Sequence, residues 1–573
     1  MALAERRALH RVGARPALVL LLVAAVFLAG CESAPSASRG RDGASSAAAV
    51  GGGEETIALP EPLAVEVPAA GMAELSPDAP PLRELLGAAA AGGLRVTHDR
   101  SVPLRIGPTE VTWTAWERDP HQSGVRATRR AWVYLFPHGT TPVGATHKYN
   151  ALAANHSAKI ARDAAGAIHM AWLETRPGPG RRRVGRVVYR RAVQDEATGR
   201  LTFETDVTPV SEPGGGGPGS YLALEASPNA VHLAWFGGRT TLYRRLVFRG
   251  GVWSFERVRD TGAPGNAHDT GPDMAVRGDD EIHIVTPTGH YAVSSNGGAG
   301  WSRDRLPASG PPFKNPAIAV DRAGHAHVVF TVLRRHLRSW SSDRPNGGYW
   351  ELTYARRRPG GGWVDAQNVL AASPAWADAG PERDVLADWA DIAVDAGGSL
   401  HVAFHGTANT GIYGRDEAHY VRRPAAGPGA WGPWEAAKPL HPIDRAGGTL
   451  FSFAPSLAVA PEGDVVVAVV FFELRDYPRE IFDSDAVIVR GGVVEGPPIP
   501  LSQMARRAAR WQDALGNWFP SAAPRLHRSK DGRVWLDTLQ VAETPERHAS
   551  PHPVVYQRLD LTDRMARETR PGR

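Results

Sequence analysis

The chain has little of several things that would narrow its function. Its 573 residues include a single cysteine, Cys31, so no disulfide can form within it. The formal charge of +5 comes from scattered arginines rather than from a dense basic block, and we therefore expect no nucleic-acid partner. The apolar run at residues 17–28 is too short to span a bilayer comfortably as a mature helix. No helical pattern interrupts the short alternating segments that follow residue 101.

The first 30 residues have the pattern of a secretion signal. Arginines at positions 6, 7, 11 and 15 precede the apolar run, which ends in the sequence Leu28-Ala29-Gly30-Cys31. This ending resembles the lipobox of bacterial lipoproteins. The resemblance implies cleavage before Cys31 and a diacylglyceryl group on its thiol, and two acyl chains suffice for stable membrane anchoring. Glu32 rather than Asp follows the cysteine, which by the same resemblance favours the outer membrane and leaves its two faces as alternatives.

Composition divides the rest of the chain. Residues 1–30 are the predicted signal peptide, and residues 31–56, rich in Ala, Ser and Gly, are predicted to be a flexible tether. Residues 57–100 form a transition segment. Residues 101–561 are predicted to form one repeat domain, and residues 562–573 a charged tail.

The repeat domain contains eight similar units, beginning near residues 101, 156, 220, 268, 314, 388, 452 and 521. Each has an inner strand, a turn such as Asp163–Gly166, an alternating second strand, a third strand that usually carries Tyr, and a fourth that often begins near Trp. Short strands repeated in this way predict an all-β propeller with four-stranded blades. We expect eight blades, or seven if the first or last unit is an accessory sheet. A strand at 63–67 or 94–97 is the expected source of the strand that closes the ring.

One turn carries a recognisable motif. Ser294, Asn296, Gly298 and Trp301 fit the pattern S-x-[DN]-x-G-x-x-W. The pattern resembles the Asp-box turn of sialidases and other BNR-repeat propellers, in which the turn is structural. Sialidases bind a sugar carboxylate through three arginines and use a tyrosine nucleophile with a glutamate and an aspartate. BNR-type polysaccharide lyases use histidine and tyrosine. The resemblance therefore implies a glycan-related function, particularly towards acidic sugars.

Five histidines occupy one position of the second strand in five units: His169, His232, His283, His327 and His401. Residues at one register of different blades lie too far apart to ligate one ion, because bonds from a metal to histidine nitrogen are about 2 Å long. We interpret them as packing residues and expect neither a metal nor a cofactor. Function is expected instead where residues are not repeated, in the variable loops at one end of the ring.

These loops supply the candidate residues. The candidates for catalysis are Asp269, Asp388, Glu473, Tyr221, His156 and His268. The candidates for ligand binding are Arg118, Arg334, Arg335, Arg475, Lys314, Trp389, Trp518 and His405. Aromatic faces suit sugar rings, and arginine suits carboxylates. Two hypotheses remain open: a lipid-anchored propeller that recognises a glycan or an envelope protein without catalysis, or an enzyme, either a sialidase-like hydrolase or a polysaccharide lyase.

Overall fold

The computed structural model describes residues 63–66, 74–75, 95–98, 104–105, 107–116, 125–136, 140–147, 152, 159–177, 183–195, 201–212, 222–265, 271–307, 313–336, 348–377, 385–408, 417–440, 449–460, 465–476, 479–501, 518–519, 524–542 and 551–566. Cys31 and the predicted signal peptide lie outside these residues. No helix in the described part of the chain is long and apolar enough to cross a membrane.

The chain begins with a small accessory sheet and then enters the ring. The accessory strands are β1 (Leu63–Glu66), β2 (Glu74–Leu75), β3 (Arg95–His98), β4 (Leu104–Arg105), β5 (Gly107–Trp116) and β6 (Val125–Phe136), and the ring begins with β7 (Thr140–Thr146). The main accessory sheet has the order β1-β6-β5-β3, with β2 and β4 paired separately. β1 lies parallel to β6, whereas β3 and β5 are antiparallel.

Seven antiparallel blades follow. Blade 1 contains β8 (Ile160–Arg162), β9 (Ile168–Pro177), β10 (Arg183–Gln194), β11 (Leu201–Phe203) and β12 (Thr208–Pro209). Blade 2 contains β13 (Leu222–Ser227), β14 (Ala230–Phe236), β15 (Thr240–Arg249), β16 (Val252–Phe255) and β17 (Arg259–Pro264). Blade 3 contains β18 (Asp273–Arg277), β19 (Glu281–Thr286), β20 (His290–Ser294) and β21 (Ser302–Arg305). Blade 4 contains β22 (Phe313–Val320), β23 (Ala326–His336), β24 (Gly348–Arg357) and β25 (Trp363–Asn368), followed by the short helix α1 (Pro374–Ala377).

The second half of the ring has the same plan. Blade 5 contains β26 (Val385–Val394), β27 (Leu400–Ala408), β28 (Glu417–Arg423), the hairpin of β29 (Ala425–Gly427) and β30 (Ala430–Trp431), and β31 (Lys438–Pro439). Blade 6 contains β32 (Thr449–Val459), β33 (Val465–Asp476), β34 (Arg479–Arg490) and β35 (Val493–Pro500). Blade 7 contains β36 (Trp518–Phe519), β37 (Arg525–Arg528), β38 (Val534–Ala542) and β39 (His552–Asp560), followed by α2 (Thr562–Met565).

The preferred count of eight blades is therefore wrong, and the alternative of seven is confirmed. The unit near residue 101 is an accessory hairpin of β5 and β6, whose alternating pattern imitates a blade. Its edges are covered by β3 and β1, which are the two segments expected to close the ring. The closing strand is instead β7, which pairs antiparallel with β39 as the outer strand of blade 7. Closure of this kind removes exposed sheet edges.

The repeated histidines and tyrosines are hydrogen-bonded to each other within each blade. In blades 1–5 the Nδ1 atom of the repeated histidine is hydrogen-bonded to the hydroxyl of the repeated tyrosine at 2.5–2.8 Å. In three of these blades the Nε2 atom faces the turn aspartate, as for His401 and Asp395 at 3.0 Å. Gly398 in that turn has a φ of 86°, which glycine adopts without strain. Each histidine is thus bonded inside its own blade, in agreement with a packing role.

Tryptophans from one blade pack on the histidine or tyrosine of the preceding blade. Trp253 lies 5.2 Å from His169, and Trp431 lies 5.1 Å from His327, measured between ring centroids. Trp301 packs edge-on against Tyr243 in the same way, at 5.2 Å. These contacts join neighbouring blades, and they explain why Trp recurs near the start of the fourth strand.

The turn between β20 and β21 is held by its own side chains. The Ser294 hydroxyl donates to Asn296 Oδ1 and accepts from the Gly298 amide at 2.9 Å, while Asn296 Oδ1 accepts from the Gly300 amide at 2.8 Å. A Cβ atom at Gly298 would lie 2.2 Å from the Tyr243 ring, so the turn can approach blade 2 only with glycine here. The turn therefore positions Trp301 for the contact between blades.

Blade 6 is built differently. Val467 occupies the histidine position, opposite Ala458 of the inner strand. Ala486 lies where the other blades place tyrosine, and Ile488 pairs with Val467. These side chains form an apolar cluster with Leu536 of blade 7. Alkyl packing replaces the hydrogen-bonded pair at this seam.

Candidate functional site

The inner strands of blades 4, 5 and 6 share one irregularity at the mouth of the propeller, the end at which the inner strands begin. The ladder to the second strand shifts register between Lys314 and Ala317, between Asp388 and Asp391, and between Phe453 and Ser456. The ladders of β13 and β18 show no such shift over their described lengths. β-Bulges redirect side chains and are common beside functional sites.

Second strands also differ around the ring. They contain 11, 9 and 12 residues in blades 4, 5 and 6 (β23, β27 and β33) and 10 and 9 in blades 1 and 7 (β9 and β38), against 7 and 6 in blades 2 and 3 (β14 and β19). In blades 4–6 the end of the second strand pairs with the inner-strand residues that precede the bulges. The sheets of these three blades therefore continue past the bulges towards the mouth.

Two bulge residues have unusual backbone conformations. Asn315 has a φ of 44° and Trp389 a φ of 48°, and they occupy equivalent positions in blades 4 and 5. Asparagine tolerates this left-handed region, but a bulky aromatic residue rarely enters it. Such strain persists only where surrounding contacts enforce it, and it concentrates at ligand sites.

The enforcing contact is the carboxylate of Asp388. Its Oδ1 atom accepts a hydrogen bond from Asn315 Nδ2 at 2.6 Å and another from the backbone amide of Trp389 at 2.8 Å. Asp388 and Asn315 are 4% and 2% exposed. One carboxylate oxygen therefore joins the two strained residues across the seam between blades 4 and 5.

His405 completes this group of side chains. It pairs directly with Asp388 in the ladder of β26 and β27. Its ring centroid lies 5.4 Å from that of Trp389, with the planes inclined by 53°. We call Asn315, Asp388, Trp389 and His405 the mouth cluster. It combines a half-buried aromatic face, an amide, a carboxylate and an imidazole.

A second group of unrepeated side chains lies at the axis. One position of the inner strand carries different residues in blades 1–6: Lys159, Ala223, Asp273, Ala317, Asp391 and Ser456. Two residues further along the inner strand, Glu225 in blade 2 and Arg525 in blade 7 occupy equivalent positions. The side chain of Arg525 in blade 7 donates to Glu225 in blade 2. These two blades are not neighbours in the ring, so this ion pair crosses the axis.

The axial carboxylates also connect adjacent blades. Asp273 Oδ2 accepts from the Ile318 amide at 2.8 Å, and Asp391 Oδ2 accepts from the Leu457 amide at 2.7 Å.

Burial, followed by the charge of Asp273, raises the pKa of Asp391 well above its usual range. Burial lowers the pKa of Lys159 to about 7, with Asp273 opposing that shift. Among the described side chains, no group of three or more His, Cys, Asp or Glu is placed to hold a metal ion.

The structure brings together three of the candidates chosen from the sequence: Asp388, Trp389 and His405. It describes only the backbone of six others, which are Glu473, Lys314, Arg334, Arg335, Arg475 and Trp518. Five more lie outside the described residues: Asp269, Tyr221, His156, His268 and Arg118. A catalytic role for Tyr221 or for any of these residues stays a prediction.

Sequence reasoning missed the axial charges because it searched the loops and not the inner strands. The signal was present, since this position of the inner strand is Lys159, Asp273 or Asp391 in three blades and alanine in two others, while the residue that follows it is apolar. The loops were selected by the same criterion, namely that their residues differ from blade to blade.

Comparison with known proteins finds similarity to solved structures alone. No protein-family model and no curated protein matches the chain. An ulvan lyase from a new polysaccharide lyase family is 12% identical, with a TM-score of 0.43, over 71% of this chain and 95% of its own. The phage phi92 endosialidase is 11% identical, with a TM-score of 0.38, over 78% and 73%. A protein of unknown function from Dyadobacter fermentans is 13% identical, with a TM-score of 0.37, over 74% and 99%.

Proposed function

We propose that the chain is a lipid-anchored protein of the bacterial cell envelope whose propeller mouth recognises a glycan without transforming it. The observation that carries this proposal is the mouth cluster. Its half-buried indole is held beside buried hydrogen-bonding groups, which is the combination that sugar rings require.

The bonding of Asp388 favours recognition over catalysis. Oδ1 of this carboxylate already accepts two N–H groups, one from the Asn315 side chain and one from the Trp389 backbone. A carboxylate that anchors two neighbouring residues is better suited to hold the geometry of a binding surface.

The glycan-binding test uses the purified full chain in detergent micelles. Titration calorimetry against neutral and acidic oligosaccharides should reveal at least one ligand. Trp389→Gly should weaken its binding by about 10- to 100-fold, because the aromatic face is lost. Phe248→Ala is the matched control, since this aromatic residue is 41% exposed on the third strand of blade 2 and should leave affinity unchanged. Equal affinities for the wild-type chain and Trp389→Gly would refute the proposal.

Catalysis at the same cluster is the second candidate function. It is favoured by the pairing of His405 with Asp388, which places an imidazole next to a carboxylate at the mouth. Incubation with sialosides and uronic-acid polysaccharides tests it directly. Turnover that is lost in His405→Gln but kept in Phe248→Ala would establish an enzyme, whereas binding without turnover supports recognition.

The anchor is tested separately. We propose that Cys31 carries the lipid, since it follows a lipobox-like sequence. Metabolic labelling with an alkyne fatty acid in a bacterial host should label the wild-type chain and not Cys31→Ala. Fractionation of the labelled cells then assigns the membrane, for which we propose the outer one. Labelling of Cys31→Ala at the wild-type level would contradict this site.

A further inference from the structure

The orientation of the Asn315 amide is fixed by its partner. A carboxylate oxygen can only accept a hydrogen bond, so the atom 2.6 Å from Asp388 Oδ1 must be the amide nitrogen. The carbonyl oxygen of Asn315 consequently points the other way. This assignment follows from the chemistry of the pair.

That carbonyl oxygen has no hydrogen-bond partner among the described residues, although the side chain is only 2% exposed. A buried acceptor left in this state costs about 1–3 kcal/mol of stability. Buried acceptors in folded proteins are normally hydrogen-bonded, so this oxygen calls for a donor from outside the described residues. The left-handed backbone of Asn315 adds a second cost at the same residue.

The cluster presents acceptors to a ligand. The Asn315 carbonyl can only accept, and the Asp388 carboxylate can only accept while it is ionised. Both Nδ2 of Asn315 and the backbone amide of Trp389 donate to Asp388 Oδ1. No described lysine or arginine side chain bonds to Asn315 or Asp388. A ligand carboxylate placed here would meet the like charge of Asp388.

We propose that Asn315 and Asp388 accept hydrogen bonds from hydroxyl groups of an uncharged sugar ring stacked on Trp389. This inference rests on the proposed glycan recognition and specifies its ligand class. It departs from the acidic sugar that the loop arginines suggested. Hydroxyl donors satisfy the buried carbonyl, and site-directed hydrogen bonding of this kind discriminates strongly against ligands that lack the matching group.

The experiment measures affinities of the full chain in detergent for two sets of probes. The neutral set contains malto-, cello- and manno-oligosaccharides, and the acidic set contains oligogalacturonate, oligoalginate and sialyllactose. Asn315→Gly keeps the left-handed backbone and deletes the acceptor, so it should weaken neutral binding by about tenfold. Asp365→Gly is the matched control, because Asp365 has a φ of 56° in the outer strand β25. It should bind as the wild-type chain does.

A second variant covers the case in which Asn315→Gly does not fold. Asp388→Asn keeps one acceptor for Asn315 and Trp389 but turns the other oxygen into a donor. Neutral binding should weaken by about tenfold, and binding of the acidic set should strengthen.

Each result has a distinct meaning. Neutral binding that weakens in Asn315→Gly or Asp388→Asn, with Asp365→Gly unchanged, supports the inference. Binding of the acidic set alone overturns it and leaves glycan recognition standing. Neutral binding that neither variant weakens also overturns it. If no probe of either set binds, the proposed function itself fails.

Discussion

The two ends of the blades differ in how their buried polar groups are hydrogen-bonded. At the turn end, blades 1–5 repeat one arrangement in which histidine and tyrosine are hydrogen-bonded and buried. At the mouth end, blades 4 and 5 hold a single arrangement with two left-handed residues and a buried acceptor without a described partner. Satisfied, repeated groups stabilise the ring, whereas the unique and strained group is where binding is expected. Substitutions at the two ends should therefore have effects of opposite sign on stability.

We expect the largest loss of stability when low pH protonates the buried histidines at the turn end. Burial lowers the pKa of His232 to about 3 from an ordinary 6.5. The unfolded chain therefore binds the proton at higher pH, and stability is lost as pH falls from about 6.5 towards 3. His232 alone contributes about 2 kcal/mol of this loss at pH 5 and about 4–5 kcal/mol at pH 3.

Other groups act in the same direction. The pKa values of His169, His283 and His327 are also lowered, chiefly by burial. The pKa of Asp395 is lowered as well: burial raises it, but the hydrogen bond from His401 prevails, so its contribution disappears below about pH 4. Urea denaturation at pH 7.5, 6, 5 and 4 measures the loss. A free energy of unfolding that stays constant from pH 7.5 to 5 would contradict it.

Tyr354→Ala should give the next largest loss of stability. Its ring is fully buried in blade 4 and hydrogen-bonded to His327 at 2.8 Å. Its removal should lower the free energy of unfolding by about 3–5 kcal/mol. Tyr354→Phe, which removes only the hydroxyl, should cost about 1–2 kcal/mol. Denaturant titration of both variants checks the values, and glycan affinity of the folded protein should not change. Equal costs for the two variants would show that packing of the ring is unimportant.

Trp389→Gly should show the smallest effect and the opposite sign. Glycine adopts a φ of 48° without strain, so stability should rise by about 0.5–1 kcal/mol while ligand affinity falls. Thermal unfolding without ligand measures the change. A fall in the melting temperature would mean that the indole is held by packing rather than against strain.

The sequence predicted an all-β propeller with four-stranded blades because residues that repeat at one position are packing residues. The shared position of His169 and its four counterparts identified the second strand, and the recurrent tyrosine identified the third. The blade count failed because the β5–β6 hairpin has the same alternation, and alternation cannot distinguish a blade from a separate sheet. Only strand pairing, which is non-local, separates them.

The site was predictable in part for a related reason. Asp388, Trp389 and His405 stood out because no other blade repeats them. Their convergence with Asn315 depends on two bulges and on a hydrogen bond between residues 73 positions apart. Neither feature leaves a pattern in the local sequence. The axial pair of Arg525 and Glu225, 300 positions apart, was hidden for the same reason.

The pairing of β7 with β39 has a consequence for synthesis. The strand that seals the ring is synthesised before all the inner strands, and its partner is synthesised after them. Every blade between them must be made before the seal can form, so the nascent chain carries an open sheet edge while the ring is synthesised. Emergence of β39, rather than of any earlier blade, is therefore the event that allows the ring to close.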